Sequence, residues 1–158
     1  GAGGDETRGQ LMARPLVLDT TVMIDVLRRP QRLPALTRAF RLRRLWLTSV
    51  TVAELYAGTR SAEEARWLDH VAGTFARAQR LLTPTAEEWR QAGQLISRAI
   101  RHYGAIEPRA HLADVLVVVA AARVHGAVAT ANQRHFECWV ELAARADLDV
   151  VLATGNVL

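Results

Sequence analysis

No lysine occurs anywhere in this chain of 158 residues; all 20 basic residues are arginine. Chemistry that requires a catalytic lysine is therefore excluded. So is a P-loop nucleotide site, whose lysine reaches the phosphates. A phosphoryl-accepting receiver domain has a similar length and alternation of strands and helices, but it too needs a lysine near its last strand. Cysteine is almost as scarce: Cys138 stands alone. No intrachain disulfide can form, a cysteine-based zinc site is disfavoured, and a reducing cytoplasm is the expected compartment. Long apolar runs are missing as well. The longest, Val115 to Ala122, falls far short of the roughly 20 residues that span a bilayer and fits a buried helix instead. The first ten residues, GAGGDETRGQ, lack the apolar segment of a signal peptide. Residues 1–12 read as a flexible tail or cloning remnant ahead of a single domain over 13–158.

What is present is an ordinary globular balance, half hydrophobic and 23% charged, in a length that suits one domain with a real core. The formal charge of +4 favours an anionic partner such as nucleic acid, and ordinary solubility accounts for it equally well.

Apolar strands and amphipathic helices alternate along the chain. Pro15 to Leu18 reads as a buried strand ending at Asp19. Val22, Met23, Val26 and Leu27 follow with helical spacing until Pro30. Pro34 opens a second helix running to about Arg44. Leu45 to Ser49 is a second strand, followed by a helix over about 51–59 that carries Glu54. Ser61 to Glu64 and Thr85 to Glu88 are capping-box patterns, opening helices to about Gln79 and Tyr103. The second of these has Trp89, Ala92, Ile96 and Ile100 as its expected apolar face. Arg80 to Thr83 is a short third strand between them. A helix over about 112–125 leads through Gly126 to a fourth strand at 127–130. Residues 132–146 turn into a helix, and 148–152 offer a last strand. This alternation predicts an α/β fold with a parallel sheet covered on both faces, its ligands collecting at the carboxyl ends of the strands.

Four polar side chains fall at the ends or heads of these segments. Asp19 directly follows the first strand, either as a metal-binding carboxylate or as a helix N-cap. Glu54 sits among apolar neighbours, facing solvent or pointing inward at something positive. Asp114 heads the buried run, where an unpartnered carboxylate is costly; it either caps the helix or ligates a cation. Asn132 follows the fourth strand as a turn residue whose amide oxygen can serve a metal-bound water or a phosphate. Thr130 offers a hydrogen bond in the same crevice. Carboxylates gathered at ~4 Å repel by about 4 kcal/mol per pair at an effective dielectric near 20, so such a cluster needs protons or a divalent cation. Thr21, two residues after Asp19, stands where a haloacid-dehalogenase-like phosphatase would want a second aspartate.

The segments LVLDTTVMIDVLR (16–28), LTSVTVAELYAG (47–58), ADVLVVVAAARVHGAVAT (113–130) and TANQRHF (130–136) together resemble the PIN domain, specifically the VapC-like ribonuclease toxins of toxin–antitoxin pairs. The resemblance implies a three-layer α/β/α fold around a parallel sheet of four to five strands, ordered 3-2-1-4-5. It implies a site of Asp19, Glu54, Asp114 and Asn132, with Asp19, Asp114 and Glu54 holding Mg²⁺ or Mn²⁺, ions suited to oxygen ligands. The implied activity is hydrolysis of RNA phosphodiester bonds, in transfer or ribosomal RNA, leaving a 5′-phosphate and a 3′-hydroxyl.

Two departures from the family pattern stand out. Asn132 replaces a frequent aspartate, which removes a negative charge. His135 replaces a frequent acid before the phenylalanine; it is a phosphate contact or, as the more ordinary assignment, a surface histidine. Asp25 is assigned to structure or to a hydrogen bond at the site edge. Thr20 and Thr130 are candidate substrate contacts, as are Arg28, Arg41 and Arg44 from a cluster that also includes Arg29, Arg32, Arg38 and Arg43. The family implies a homodimer and a cognate antitoxin, for which Trp46, Trp67, Leu68, Phe75 and Trp139 are candidate contacts if they are not simply core. The competing readings are a PIN nuclease in RNA processing and a non-catalytic RNA-binding or scaffold protein on the same fold.

Overall fold

The computed structural model describes residues 14–42, 44–154 and 158. The tail expected at 1–12 and the candidate Arg43 lie outside the described residues. Five short strands, β1 (Leu16–Leu18), β2 (Leu45–Thr48), β3 (Leu81–Leu82), β4 (Ala127–Ala129) and β5 (Val151–Leu152), form one sheet in the order β3-β2-β1-β4-β5. Every pairing is parallel; Leu16 lies opposite Leu45 on one side and Ala127 on the other.

The helices are α1 (Thr20–Arg28), α2 (Leu33–Arg41), α3 (Ser49–Ala57), α4 (Ala62–Arg77), α5 (Ala86–Tyr103), α6 (Pro108–Arg123) and α7 (Gln133–Ala144), with one 3₁₀ turn at Pro30–Arg32. None is long and apolar enough to cross a membrane.

Strand alternation sorts the core into two layers, because successive side chains point to opposite faces. Leu16, Leu18, Leu45, Leu47, Ala127 and Ala129 pack with Met23, Val26, Leu36, Leu55, Leu68 and Phe75 of α1–α4. Val17, Leu82 and Val128 face the other way, onto α5, α6 and α7. The architecture is thus three-layer α/β/α. Leu68, Phe75 and Trp139 are buried and Trp46 and Trp67 partly so, which places the first three in the core.

Two expectations are corrected. In α5 the inward face is Ala92, Leu95, Ile96 and Ala99, while Trp89 is 49% and Ile100 36% exposed. The buried Glu88 sets this rotation. Its carboxylate completes a capping box with Thr85 and takes two bonds of 2.7 Å from Arg123 at the end of α6. Helix α6 begins at Pro108, a turn earlier than expected, because proline is preorganised for the first helical position and Glu107 supplies the cap. Asp114 consequently lies inside the helix and cannot cap it. Gly126, between α6 and β4, has no room for a side chain: a Cβ there would meet Val17 Cγ2 at 3.1 Å and Pro15 O at 3.2 Å.

Candidate functional site

Strands β1 and β4 are neighbours whose following connections leave in opposite directions, the point at which an open α/β sheet forms a crevice. Asp19 leaves β1 at this point and is buried, with 3% of its surface exposed. It occupies the N-cap position of α1, but its side chain makes no capping bond. Instead, Asp19 Oδ2 accepts from the hydroxyls of Thr21 and Thr130, each at 2.9 Å. Those hydroxyls are themselves oriented by backbone amides: Ala131 N donates to Thr21 Oγ1 at 2.9 Å and Asn132 N to Thr130 Oγ1 at 3.0 Å. Each threonine has one proton, and Asp19 receives both.

Glu54 is delivered by α3. The buried Thr48 ends β2 and caps α3 by accepting from Thr51 N at 3.0 Å; Thr51 Oγ1 in turn donates to Leu18 O at 3.4 Å. This pair ties α3 to the end of β1, one residue from Asp19. Helix α3, on which Glu54 is exposed, also packs against α1, which follows Asp19, and α6, which carries Asp114. Glu54 Oε2 accepts a bond from the Thr20 hydroxyl. Burial pushes the Glu54 carboxyl above its usual range, the Thr20 hydrogen bond opposes this, and the charges of Asp114 and Asp19 add to the rise.

Asp114 projects from α6 directly before the run Val115 to Ala122, all of it buried. His135, from the first turn of α7, places Nε2 2.6 Å from Asp114 Oδ2. The His135 ring stacks on His111 at 5.3 Å between centroids, and His111 lies against Trp139 at 5.4 Å. Burial raises the Asp114 carboxyl, the contact with His135 lowers it, and the charge of Asp19 raises it further.

The three carboxylates therefore share one crevice and sense one another. Each has one oxygen engaged by a neutral hydroxyl or an imidazole; Asp19 Oδ1, Glu54 Oε1 and Asp114 Oδ1 accept no hydrogen bond among the described residues. As the side chains stand, no three ligating groups among the described residues converge closely enough to cage a metal ion. Mutual repulsion in a shared crevice works against such convergence.

The remaining sequence candidates divide by place. Asn132 occupies the N-cap position of α7 with an exposed side chain that makes no capping bond. Arg28 lines the cleft that contains Glu54. Arg41 ends α2 and Arg44 precedes β2, at the amino edge of the sheet, which separates both from the carboxylates. Asp25 pairs with Arg32 at 2.7 Å and Arg29 at 3.2 Å. His135 is not the surface histidine expected, since its ring is partly buried against Asp114. Sequence reasoning assigned no site role to Thr21, Thr48, Thr51 or His111. The threonines were visible as polar residues beside apolar segments, but their bonds cross more than 30 positions or depend on helix phase.

The chain belongs to the PIN domain family, whose model matches residues 16–138. Solved structures share the fold. A chain of DNA-bound VapBC from Salmonella typhimurium is similar at 23% identity and a TM-score of 0.59, over 78% of this chain and 91% of that one. A chain of FitAcB from Neisseria gonorrhoeae is similar at 23% identity and a TM-score of 0.57, over 86% and 96%. A chain of VapBC2 from Rickettsia felis, bound to a DNA fragment from its promoter, is similar at 14% identity and a TM-score of 0.60, over 89% and 98%. No curated protein matches the sequence.

Proposed function

We propose that this protein is a VapC-type toxin: a Mg²⁺- or Mn²⁺-dependent endoribonuclease that hydrolyses phosphodiester bonds of transfer or ribosomal RNA. In this reading it acts in the cytoplasm as a homodimer, inhibits translation, and is silenced by a cognate antitoxin. The observation that carries the reading is the placement of Asp19, Glu54 and Asp114 near the carboxyl edge of β1 and β4, close enough for their charges to act on one another without closing into a cage, each with one oxygen that accepts no hydrogen bond among the described residues. The donor set fits a hard divalent cation: three carboxylate oxygens, with no thiolate among the three. Asp19 and Asp114 would hold it, with Glu54 direct or through water. Such a cation would supply a nucleophilic water and neutralise the negative charge that develops on the phosphoryl oxygens.

The chain's own residues orient and steer. Thr21 and Thr130 fix the rotation of Asp19, Thr20 that of Glu54 and His135 that of Asp114. Arg28, at the rim of the Glu54 cleft, offers a guanidinium to the phosphate backbone. The antitoxin assignment draws support from the likeness to chains of VapBC and FitAcB.

The test is cleavage of RNA by the purified protein with Mg²⁺, with Mn²⁺ and with EDTA, beside Asp19→Ala and Asp114→Ala. Cleavage is expected only with the cations, and to fall at least about 100-fold in both variants, whose thermal transitions remain cooperative. Cleavage that survives EDTA, or that persists in either variant, defeats the reading.

A further inference from the structure

Next to the carboxylates, a cavity of about 470 Å³ opens along α1. Its lining includes Thr21 and Thr130, the two hydroxyl donors to Asp19, together with Asp25, Arg28, Arg29 and Arg32. We propose that this cavity is a phosphate subsite for the RNA strand, holding a phosphodiester that neighbours the cleaved one, with Arg29 and Arg32 as its ligands. The inference rests on the nuclease reading and adds to it where the strand lies.

Placement supports it first. Thr21 and Thr130 each bond Asp19 Oδ2 at 2.9 Å, so whatever fills the cavity lies one side chain from Asp19. Arg28 lines this cavity and also the cleft of Glu54; it forms the ridge over which a strand passes from one to the other.

Charge supports it next. A polyanion approaching three carboxylates is repelled unless positive charge stands beside them. Three arginines against one aspartate leave the side chains of the cavity lining with a formal excess of two positive charges. The sequence places seven arginines between positions 28 and 44; the fold brings Arg28, Arg29 and Arg32 to the cavity and leaves Arg41 and Arg44 at the other edge of the sheet.

Geometry supports it last. Arg32 Nη1 lies 2.7 Å from Asp25 Oδ2 and Arg29 Nε lies 3.2 Å from Asp25 Oδ1, both as ion pairs. A guanidinium has five N–H donors in a rigid fork. Asp25 therefore anchors both side chains by one nitrogen each and leaves other donors of both free for a phosphate. Anchored forks lose less rotamer entropy on binding than free ones.

The test is binding of a fluorescein-labelled ten-nucleotide uridine RNA, followed by anisotropy in EDTA across a salt series, so that no cleavage intervenes. Arg29→Gln/Arg32→Gln should weaken binding about tenfold and flatten the log–log salt slope by about 0.7, the value for one single-strand phosphate. Arg101→Gln on α5, which removes the same kind of charge elsewhere, should leave both unchanged. If the double variant fails to fold, Arg29→Gln and Arg32→Gln singly serve the same test, because each leaves Asp25 one partner. Arginine variants that match a wild type able to bind and cleave RNA overturn the subsite alone. A wild type that neither binds nor cleaves RNA overturns the subsite together with the nuclease reading.

Discussion

His135 Nε2 stands 2.6 Å from Asp114 Oδ2, at the end of a stack that continues through His111 to Trp139. The imidazole fixes the rotation of the carboxylate and draws its pKa down against the effect of burial. In His135→Ala the Asp114 carboxyl loses its strongest lowering contact and its pKa rises further. Because the nuclease reading needs Asp114 ionised, the acid limb of the pH–rate profile moves to higher pH, and activity near pH 6 falls roughly 10–100-fold, the usual effect of removing a partner behind a metal ligand. His135→Gln, which keeps a donor there, recovers part of the loss. Rate profiles between pH 5 and 8 decide the matter; an acid limb that stays in place in His135→Ala counts against the role.

Asp114 also makes the fold sensitive to pH. Its folded pKa is raised, chiefly by burial. A carboxyl of this kind favours the fold fully below the ordinary carboxylate range, and that contribution is lost as pH rises through the raised value. At neutral pH without divalent cations, ionised Asp114 therefore works against stability, and Asp114→Asn should melt higher. The expected gain is roughly 2–4 °C, as about 1 kcal/mol produces in a domain of this size. The difference should shrink as the pH falls toward 4. Melting curves in EDTA at pH 7 and pH 4 test this, and a variant that melts lower at pH 7 refutes it.

Thr51→Val isolates the tie between α3 and β1. Valine fills the same space but cannot donate to Leu18 O or engage Thr48. Losing a buried bond of this kind costs about 1–2 kcal/mol in chemical denaturation. Cleavage should fall by more than the folded fraction does, because Glu54 is placed by this tie. Unchanged activity in the folded variant would show that the position of Glu54 does not depend on it.

Glu88→Ala removes the reciprocal half of a capping box and a two-pronged partner of Arg123 in one step. The expected destabilisation is about 2–3 kcal/mol, within the range for hydrogen bonds to charged groups. RNA cleavage per folded molecule should be unaffected, since the pair lies at the C-terminal end of α6 and Asp114 lies in its N-terminal half. Denaturation midpoints and activity on the same preparation measure the two effects separately.

Much of this was legible in the sequence because the signals are local. Pro15 to Leu18, Leu45 to Ser49 and Ala127 to Thr130 are short, mostly apolar runs, and β1, β2 and β4 form within them. Thr85 to Glu88 formed its capping box as written. Position within these segments pointed to Asp19, Glu54 and Asp114 as a group; in the structure their charges act on one another, but as the side chains stand they do not close into a metal cage among the described residues. What could not be read depends on rotation or on distant partners. Trp89 looked like the inward residue of α5 until Glu88 took that place by pairing with Arg123, 35 residues away. His135 looked like a surface residue because Asp114 reaches it only through the packing of α6 against α7. Arg41 and Arg44 looked like Arg28 in composition; only the direction of the strands separates them.

The eight residues from Val115 to Ala122 are enclosed on every side, so their amides should exchange only when the whole molecule opens. Asp114 rides at the front of this immobile rod, whereas Glu54 sits on an exposed stretch of α3. The crevice thus joins a carboxylate carried by an enclosed helix to one carried on a solvent-facing helix surface.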